Sequence, residues 1–249
     1  MTSPSDRRGT EGPLADLQKH HFAFVGHGAM AQALGSMGDW AGFAASWNDL
    51  PEDGYMADGG RYRQRRFAAY SVARGGQREL KPPQPHYQSR DRNPLNGGIE
   101  RWFEPLSDAV GSGESLHRIL DYGLALLEDL RPDVHQWHAE VHQFRILTST
   151  DAPGKPTPEG SHRDGVDFVI AMLIHRENVD RGTTDITDLE GRPLGSFTLA
   201  QPLDTALVDD RHVFHGVTPI EPKDPHQPAW RDVLVITWKA DGAPGAPRM

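Results

Sequence analysis

A histidine and an aspartate two residues apart, His162 and Asp164, precede the apolar stretch Val166–Ile174. In extended backbone, side chains at positions i and i+2 point to the same side. Both groups can therefore reach one metal ion while Arg163 points away. Because a histidine beside an aspartate is also a common surface pair, the motif predicts a metal site only together with a third ligand from elsewhere in the chain.

A second strand-like stretch offers two histidines as the third ligand, His212 and His215. On a regular strand, residues three apart face opposite sides, so at most one of them points at the metal. We favour His215, because it shares a face with Val213 and Val217, whereas His212 follows an acidic turn. Two imidazoles and one carboxylate on one face of an octahedron are typical of Fe(II) sites with open positions. A zinc hydrolase would favour a tetrahedral site, and the sequence has no H-E-x-x-H helix.

A further chemical feature is Arg231, which begins an apolar strand-like stretch. Strand alternation puts Arg231 on one face with Val233 and Val235. Because burying an unpaired guanidinium is costly, an anion is expected beside it, and a carboxylate matches its planar fork. The alternative is an arginine at the protein rim, paired with Asp224 or Asp232.

The residues that would hold a substrate give weaker signals. The basic run at 61–67 aims three arginines one way if it is a strand, and Arg63 is our candidate for binding a substrate carboxylate. The alternative is a solvated edge strand that its charge protects from aggregation. Gln143 and Arg145 share a strand face that we expect to line a barrel, although Trp137 on that face equally favours packing.

Composition limits the partners of such a site. The chain has 249 residues, no cysteine and a net charge of -9. The absence of cysteine excludes disulfides, thiolate metal sites and a cysteine nucleophile, and the acidic balance disfavours nucleic acid. No apolar run approaches the ~20 residues that cross a bilayer. We therefore expect a cytoplasmic protein, and the sequence leaves both a monomer and a homodimer open.

The hydrophobic pattern changes once along the chain. Helical spacing predicts helices over residues 29–47 and 115–130. From Trp137 onward the pattern becomes a series of short strand-like runs separated by turns. Many short strands without intervening helices imply antiparallel pairing in a sandwich or barrel.

We expect one domain over residues 15–240, with helical support over 15–132 and a β core over 133–240. The terminal segments 1–14 and 241–249 are rich in Gly, Pro and charge and are expected to be disordered.

One motif favours a different class of protein. Gly26-x-Gly28-x-x-Ala31 lies between an apolar run and a helix, where a dinucleotide-binding fingerprint would lie. Such a site needs a parallel sheet and a second strand that ends in an acidic residue about 20 positions on. Residues 48–53 offer the acid without the strand, so a tight turn into a helix is the simpler interpretation.

The metal and anion motifs occur together in a characteristic order. His162-x-Asp164, a distal His215 and then Arg231 on the following strand resemble the Fe(II)- and 2-oxoglutarate-dependent dioxygenases. The resemblance covers roughly residues 15–240. Within this family, the sequence is similar to the bacterial branch that includes the L-isoleucine 4-hydroxylases and related free amino acid hydroxylases. The segments that carry this similarity are 93–105, 141–145 and 162–169.

The resemblance implies an α+β, mainly β protein whose core is a double-stranded β-helix (jelly-roll, cupin-like), supported by N-terminal helices. It implies Fe(II) held by His162, Asp164 and His215, with O2 and 2-oxoglutarate as cosubstrates and Arg231 binding the far carboxylate of 2-oxoglutarate. The expected reaction is hydroxylation of a free aliphatic L-amino acid, with release of succinate and CO2. The alternative is a non-oxidative β-barrel metalloprotein, either an isomerase-like enzyme or a metal-dependent ligand-binding module, which would not need an internal Arg231.

Overall fold

The structure of the chain is a computed structural model and describes residues 9–241. The helices in this range are α1 (Glu11–His20), α2 (His27–Leu34), α3 (Trp40–Ala45), a 3-10 helix (Ser46–Asp49), α4 (Asp108–Gly111) and α5 (Glu114–Leu130). The strands are β1 (Phe22–Val25), β2 (Arg63–Ala73), β3 (Arg78–Leu80), β4 (Gln136–Thr148), β5 (Phe168–Glu177), β6 (Val179–Arg181), β7 (Thr183–Thr187), β8 (Pro193–Thr198), β9 (Thr205–Val208), β10 (Phe214–Val217), β11 (Ile220–Pro222) and β12 (Ala229–Ala240).

Two layers of antiparallel strands enclose the functional cavity. The large sheet has seven strands in the order β1-β9-β5-β12-β4-β2-β3, and the smaller sheets are β10-β7-β8 and β11-β6. Side chains of the large sheet and of the three-stranded sheet line the same cavity, so the two layers face each other. This arrangement confirms the mainly β, double-stranded β-helix prediction.

Helix α5 packs closely against the outer face of the large sheet. Its apolar stripe is buried, as the helical spacing predicts. Midway along it, Gly123 leaves no room for a side chain, because an added Cβ would lie 2.7 Å from Ile170 Cδ1 and 3.0 Å from Trp238 Cζ2. This close contact covers the outer face of β5 and β12 and leaves their inner face for the cavity.

The predicted helix over 29–47 is instead three short helical pieces: α2, α3 and the 3-10 helix. Gly35, directly after α2, has a φ of +68°. Residues other than glycine rarely adopt this backbone conformation, and the chain turns there. The apolar stripe is nevertheless buried, through Met30, Leu34, Phe43 and Trp47.

Two predicted boundaries need correction. Helix α1 begins at Glu11, inside the expected tail 1–14, because Leu17 is buried in the core and Leu14 packs against it. The segment 15–132 also supplies strands β1, β2 and β3 to the large sheet, so it is more than a helical support. The expected tails otherwise fall on residues 1–8 and 242–249, which lie outside the described residues, and a single domain over 15–240 stays a prediction.

The surroundings of the glycine motif do not match a dinucleotide site. Strand β1, which precedes Gly26, pairs antiparallel with β9. Every strand pair of the three sheets, as far as the described residues show, is antiparallel. Among the helices of residues 9–241, none combines the length and the apolar character needed to cross a membrane.

Candidate active site

His162, Asp164 and His215 converge on one point of the cavity wall, with one ligand atom of each within 4.8 Å of the others. The Asp164 oxygens lie 3.6 Å from His162 Nε2 and 3.4 Å from His215 Nε2. Two perpendicular ligands, each about 2.1 Å from a shared metal, lie roughly 3 Å apart. The three side chains are therefore spaced almost as a metal would hold them.

The imidazole nitrogens that a metal needs are directed at the cluster. His162 Nδ1 donates to the backbone oxygen of Gly160 at 3.0 Å, which leaves Nε2 directed at Asp164. His215 Nε2 is buried and has no hydrogen-bond partner within residues 9–241. An unsatisfied buried nitrogen costs about 1–3 kcal/mol, so its presence calls for a ligand. Two imidazole nitrogens and one carboxylate are the donors that Fe(II) takes, and these residues fit it.

The two imidazoles differ in charge. Burial disfavours a charged ring at His162, but the hydrogen bond and charge of Asp164 outweigh it and raise the pKa of His162 to about 10. At His215, burial and the charge of His162 lower the pKa to about 4. Burial alone would raise the pKa of Asp164, yet the two histidines hold it below its ordinary value. Metal binding would therefore require His162 to release a proton.

Asp210 holds the loop that carries Asp164. Its carboxylate accepts three backbone N–H groups, from Asp164 at 2.9 Å, Gly165 at 2.8 Å and Val166 at 3.1 Å. Gly165 has a φ of +82°, which lets the chain fold around the carboxylate. Burial and the charge of Asp164 raise the pKa of Asp210 to about 7. Sequence reasoning missed this residue, and its only signal was an aspartate pair beside His212.

Gln88 fixes the Asp164 side chain from the opposite direction. Its Nε2 donates to Asp164 Oδ1 at 2.9 Å. Its Oε1 accepts from Asn93 Nδ2 at 3.1 Å and from Arg101 Nη2 at 2.9 Å, which sets the orientation of the amide. The 93–105 segment thus reaches the proposed metal ligand Asp164 through Gln88, which sequence reasoning did not single out.

A cavity of about 460 Å³ borders the three converging residues. Its apolar wall is formed by strands of the large sheet together with Leu199. The apolar side chains on the inner faces of these strands include Val169, Ala171, Ala206, Val208, Val233 and Val235. Such a wall excludes water from the reacting groups and accommodates an aliphatic side chain.

Arg231 faces this cavity from β12. It is 4% exposed, and its Nε has no hydrogen-bond partner among the described residues. Burial and the nearby charge of Arg176 lower the pKa of Arg231 to about 9. The alternative partner Asp232 is instead bound by Arg145, through two contacts of 2.7 Å. A buried guanidinium that lacks a hydrogen-bond partner at Nε is suited to bind a carboxylate that enters the cavity.

A second cationic group borders the same cavity. Arg63, Arg65 and Arg101 are buried there, and each keeps one nitrogen without a hydrogen-bond partner within the described range. Asp53 pairs with Arg63 at 2.7 Å and lies 3.7 Å from Arg65. Ile146 on β4 pairs with both Arg63 and Arg231, so one strand separates the two cationic groups.

A network around Glu140 also has converging ligand atoms, from His86 and His142. Arg65 lies 2.7 Å from His142 Nδ1, and because a guanidinium only donates, Nδ1 must accept. The neutral ring then carries its proton on Nε2, which lies 3.7 Å from Glu140, and burial lowers the pKa of His142 to about 3. That proton, which faces Glu140, disfavours a metal at His142, in contrast to His215 of the first cluster, whose Nε2 has no hydrogen-bond partner among the described residues.

The other predicted site residues are placed as follows. Arg63 lines the cavity, on a β2 that is not an edge strand but lies between β4 and β3. The structure does not bring Gln143 and Arg145 to the cavity: Gln143 donates to Ser46 Oγ at 2.8 Å, and Arg145 binds Asp232. Their neighbours on β4 face the cavity instead, namely His138, Glu140, His142, Phe144 and Ile146.

The competing histidine lies outside the metal cluster. His212 stacks on His21 with 4.3 Å between ring centroids, and its Nδ1 lies 2.9 Å from Asp209. Of the two histidines in this stretch, His215 is the one beside Asp164.

A double-stranded β-helix with two imidazoles and one carboxylate converging in its cavity defines a mononuclear non-haem iron class of protein. The family model described as 2OG-Fe dioxygenase matches residues 44–237. The chain belongs to this family, whose members use Fe(II), 2-oxoglutarate and O2.

Individual relatives agree with this membership. The chain resembles the crystal structure of a bsmA homologue from Methylobium petroleophilum PM1, with 36% identity, a TM-score of 0.84 and 92% of each chain covered. It has the fold of IDO from Bacillus thuringiensis, at 17% identity and a TM-score of 0.75, covering 93% of this chain and 99% of that one. A 3(1)-hydroxy-L-isoleucine 4-dioxygenase from Pantoea ananatis (strain AJ13355) is 25% identical over 158 residues. That match spans 62% of this chain and 64% of the relative, which is less than two thirds of its length.

Proposed function

We propose that this dioxygenase hydroxylates a free aliphatic L-amino acid, with release of succinate and CO2. The observation that carries the proposal is the pair of buried, incompletely partnered cationic groups on one apolar cavity. 2-Oxoglutarate brings one distal carboxylate, which Arg231 would bind. The arginine group of Arg63, Arg65 and Arg101 then remains for a second carboxylate, that of the substrate.

The roles of the residues follow from their positions. His162, Asp164 and His215 would hold Fe(II), which supplies the activation of O2 when it is bound there with 2-oxoglutarate. Arg231 would orient the cosubstrate by its far carboxylate. The apolar wall of the cavity keeps water away, so that oxidation is directed at the bound substrate.

The shape and polarity of the cavity support an aliphatic amino acid. Arg63 would bind the substrate carboxylate, since its Nη2 is buried without a partner in the described part of the chain. The apolar side chains of β5, β9 and β12 suit a branched hydrocarbon side chain. The name of the Pantoea ananatis relative, which describes a hydroxylated isoleucine as its substrate, supports the same class.

A succinate-release screen tests this proposal. Fe(II)-loaded protein is incubated with 2-oxoglutarate, O2 and single compounds drawn from free L-amino acids, their N-acetyl forms and aliphatic alcohols. We expect aliphatic L-amino acids to raise succinate formation above the rate without substrate, and hydroxylated product to appear in matching amounts. Stimulation by N-acetyl forms or alcohols but by no free amino acid would contradict the substrate class.

An anaerobic titration separates the proposal from a non-oxidative metalloprotein. Bidentate chelation of Fe(II) by 2-oxoglutarate gives a weak visible charge-transfer band. We expect this band to rise to saturation in the Fe(II) protein. If the protein binds Fe(II) but shows no band, the alternative holds, and the protein is a non-oxidative enzyme or a ligand-binding module.

A further inference from the structure

Glu159 has an unused oxygen on the cavity wall, beside a proposed metal ligand. Its Oε1 lies 3.5 Å from His162 Nε2. Its side chain is 10% exposed, and its Oε2 is buried without any hydrogen-bond partner in residues 9–241. A buried carboxylate oxygen without a donor requires an explanation, because water no longer solvates it.

The protein's own cations do not provide that donor. Four arginines border the same cavity, yet His162 is the only basic side chain within 4.0 Å of Glu159 in the described range. Arg101 donates to Gln88, and Arg63 binds Asp53. The missing partner of Glu159 is therefore expected to come from a ligand, and a ligand that suits a buried carboxylate is cationic.

The metal does not account for Glu159 either. His162, Asp164 and His215 already form a complete set of two imidazoles and one carboxylate. Glu159 is not among the residues whose ligand atoms in this cluster lie mutually within 4.8 Å. Its position beside the set, facing the cavity, suits contact with a substrate bound next to the metal.

We propose that Glu159 binds the ammonium group of the substrate and makes the enzyme specific for primary amines. The inference rests on the proposed function, in which the substrate is a free amino acid. A zwitterion would place its carboxylate at Arg63, Arg65 and Arg101 and its ammonium group at Glu159. Two anchors of opposite charge fix the direction of the amino acid, and hence which carbon of its side chain lies nearest the metal site.

The test measures binding without turnover. Protein loaded with Mn(II) and 2-oxoglutarate under anaerobic conditions is titrated by calorimetry with three probes: L-isoleucine, 3-methylpentanoate, which lacks the ammonium group, and 2-methylbutylamine, which lacks the carboxylate. The variant Glu159→Gln removes the charge and keeps the shape. We expect it to weaken L-isoleucine and amine binding by at least about tenfold, and to leave 3-methylpentanoate binding within about twofold.

Two further variants serve as controls. Glu100→Gln removes the same charge from an exposed residue that borders the same cavity, and it should leave all three affinities within about twofold of wild type. Glu159→Asp keeps the charge on a shorter side chain and should recover part of the lost L-isoleucine affinity. Mn(II) affinity is measured separately for each variant, and we expect Glu159→Gln to leave it unchanged.

Four results would overturn the inference. A loss of Mn(II) affinity in Glu159→Gln would make Glu159 a metal ligand. If Glu159→Gln loses affinity equally for L-isoleucine and 3-methylpentanoate, or for neither, Glu159 does not bind the ammonium group. The same holds if wild type binds neither L-isoleucine nor 2-methylbutylamine. If wild type binds 2-methylbutylamine through Glu159 while free amino acids fail the succinate screen, the ammonium site stands and the proposed substrate class falls.

Discussion

His162 and His215 are joined through their backbones: the N–H of each donates to the carbonyl oxygen of the other, at 2.9 Å in both directions. This pair forms an isolated antiparallel bridge, and it places the two rings with centroids 4.6 Å apart. Two of the three proposed ligands are thus positioned by main-chain hydrogen bonds. The proposed metal site is therefore organised by the fold before any ion binds, which favours tight and specific coordination.

Replacing His215 by alanine should abolish metal binding, whereas replacing His212 should not. Removal of a ligand is expected to lower Fe(II) affinity by more than the 10–100-fold typical of a residue that only supports a ligand. The His212→Ala variant should stay within about twofold of wild type, because His212 lies beside His21 and Asp209. Anaerobic Fe(II) titration measures both variants, and the reverse pattern would exchange the proposed third ligand.

Asp210→Asn should weaken both the fold and the metal site. An amide nitrogen cannot accept, so whichever way the side chain turns, a donor faces one of the N–H groups of Asp164, Gly165 or Val166. We expect the free energy of unfolding to fall by about 1–3 kcal/mol and Mn(II) affinity to fall roughly 10–100-fold.

Asp209→Asn is the matched control for that variant, since the neighbouring Asp209 pairs with Arg211 and His212 outside the cluster. Urea unfolding and calorimetric Mn(II) titration give the two quantities. Equal Mn(II) affinities in the two variants would show that the Asp210 cradle does not organise the ligand loop.

The sequence indicates the proposed ligand set because its parts have local signatures. His162 and Asp164 share a face at spacing two, and His215 shares a face with two valines. Glu159 and Gln88 have no such signature, since their roles come from contacts between segments that are distant in the chain. Nothing in the residues near Gln88 indicates that its amide reaches Asp164, 76 positions away.

The direction of β4 shows where pattern reasoning fails. Alternation correctly groups Gln143 with Arg145, but it cannot tell which face meets the cavity, because β4 is buried on both sides. The polar residues of one face bind Ser46 and Asp232, and those of the other face line the cavity. A strand between a helical layer and the cavity thus carries charged residues on both faces, and only the three-dimensional structure separates them.

Arg231→Met should weaken 2-oxoglutarate binding and leave metal binding nearly intact. Loss of a buried guanidinium opposite a carboxylate is expected to reduce affinity by roughly 30-fold or more, about 2 kcal/mol. Anaerobic titration of the Fe(II) protein with 2-oxoglutarate measures this from the visible band. Arg192→Met, on an exposed hairpin, controls for the loss of one positive charge. Equal 2-oxoglutarate affinities in the two variants would show that Arg231 does not bind the cosubstrate.

The buried ring of His142 should make the protein less stable in mild acid. Burial lowers its pKa from the ordinary value of 6.5 to about 3 in the folded state. Between these two values the unfolded chain binds more protons than the folded one, so the free energy of unfolding falls as the pH falls below about 6.5. Between pH 7 and pH 5 this single group should remove about 2 kcal/mol.

The variant His142→Gln isolates that contribution, because it keeps a polar side chain beside Arg65 and Glu140 but does not titrate. Its loss of unfolding free energy between pH 7 and pH 5, measured by urea titration, should be smaller than that of wild type by about 2 kcal/mol. The pKa of Glu140 lies below its ordinary value of 4.5, so its own loss of stability falls at lower pH, outside this window. The exposed His226 provides the control, because His226→Gln should keep the pH dependence of stability of wild type. If the stability of His142→Gln depends on pH as steeply as that of wild type, the His142 ring is not held neutral in the fold.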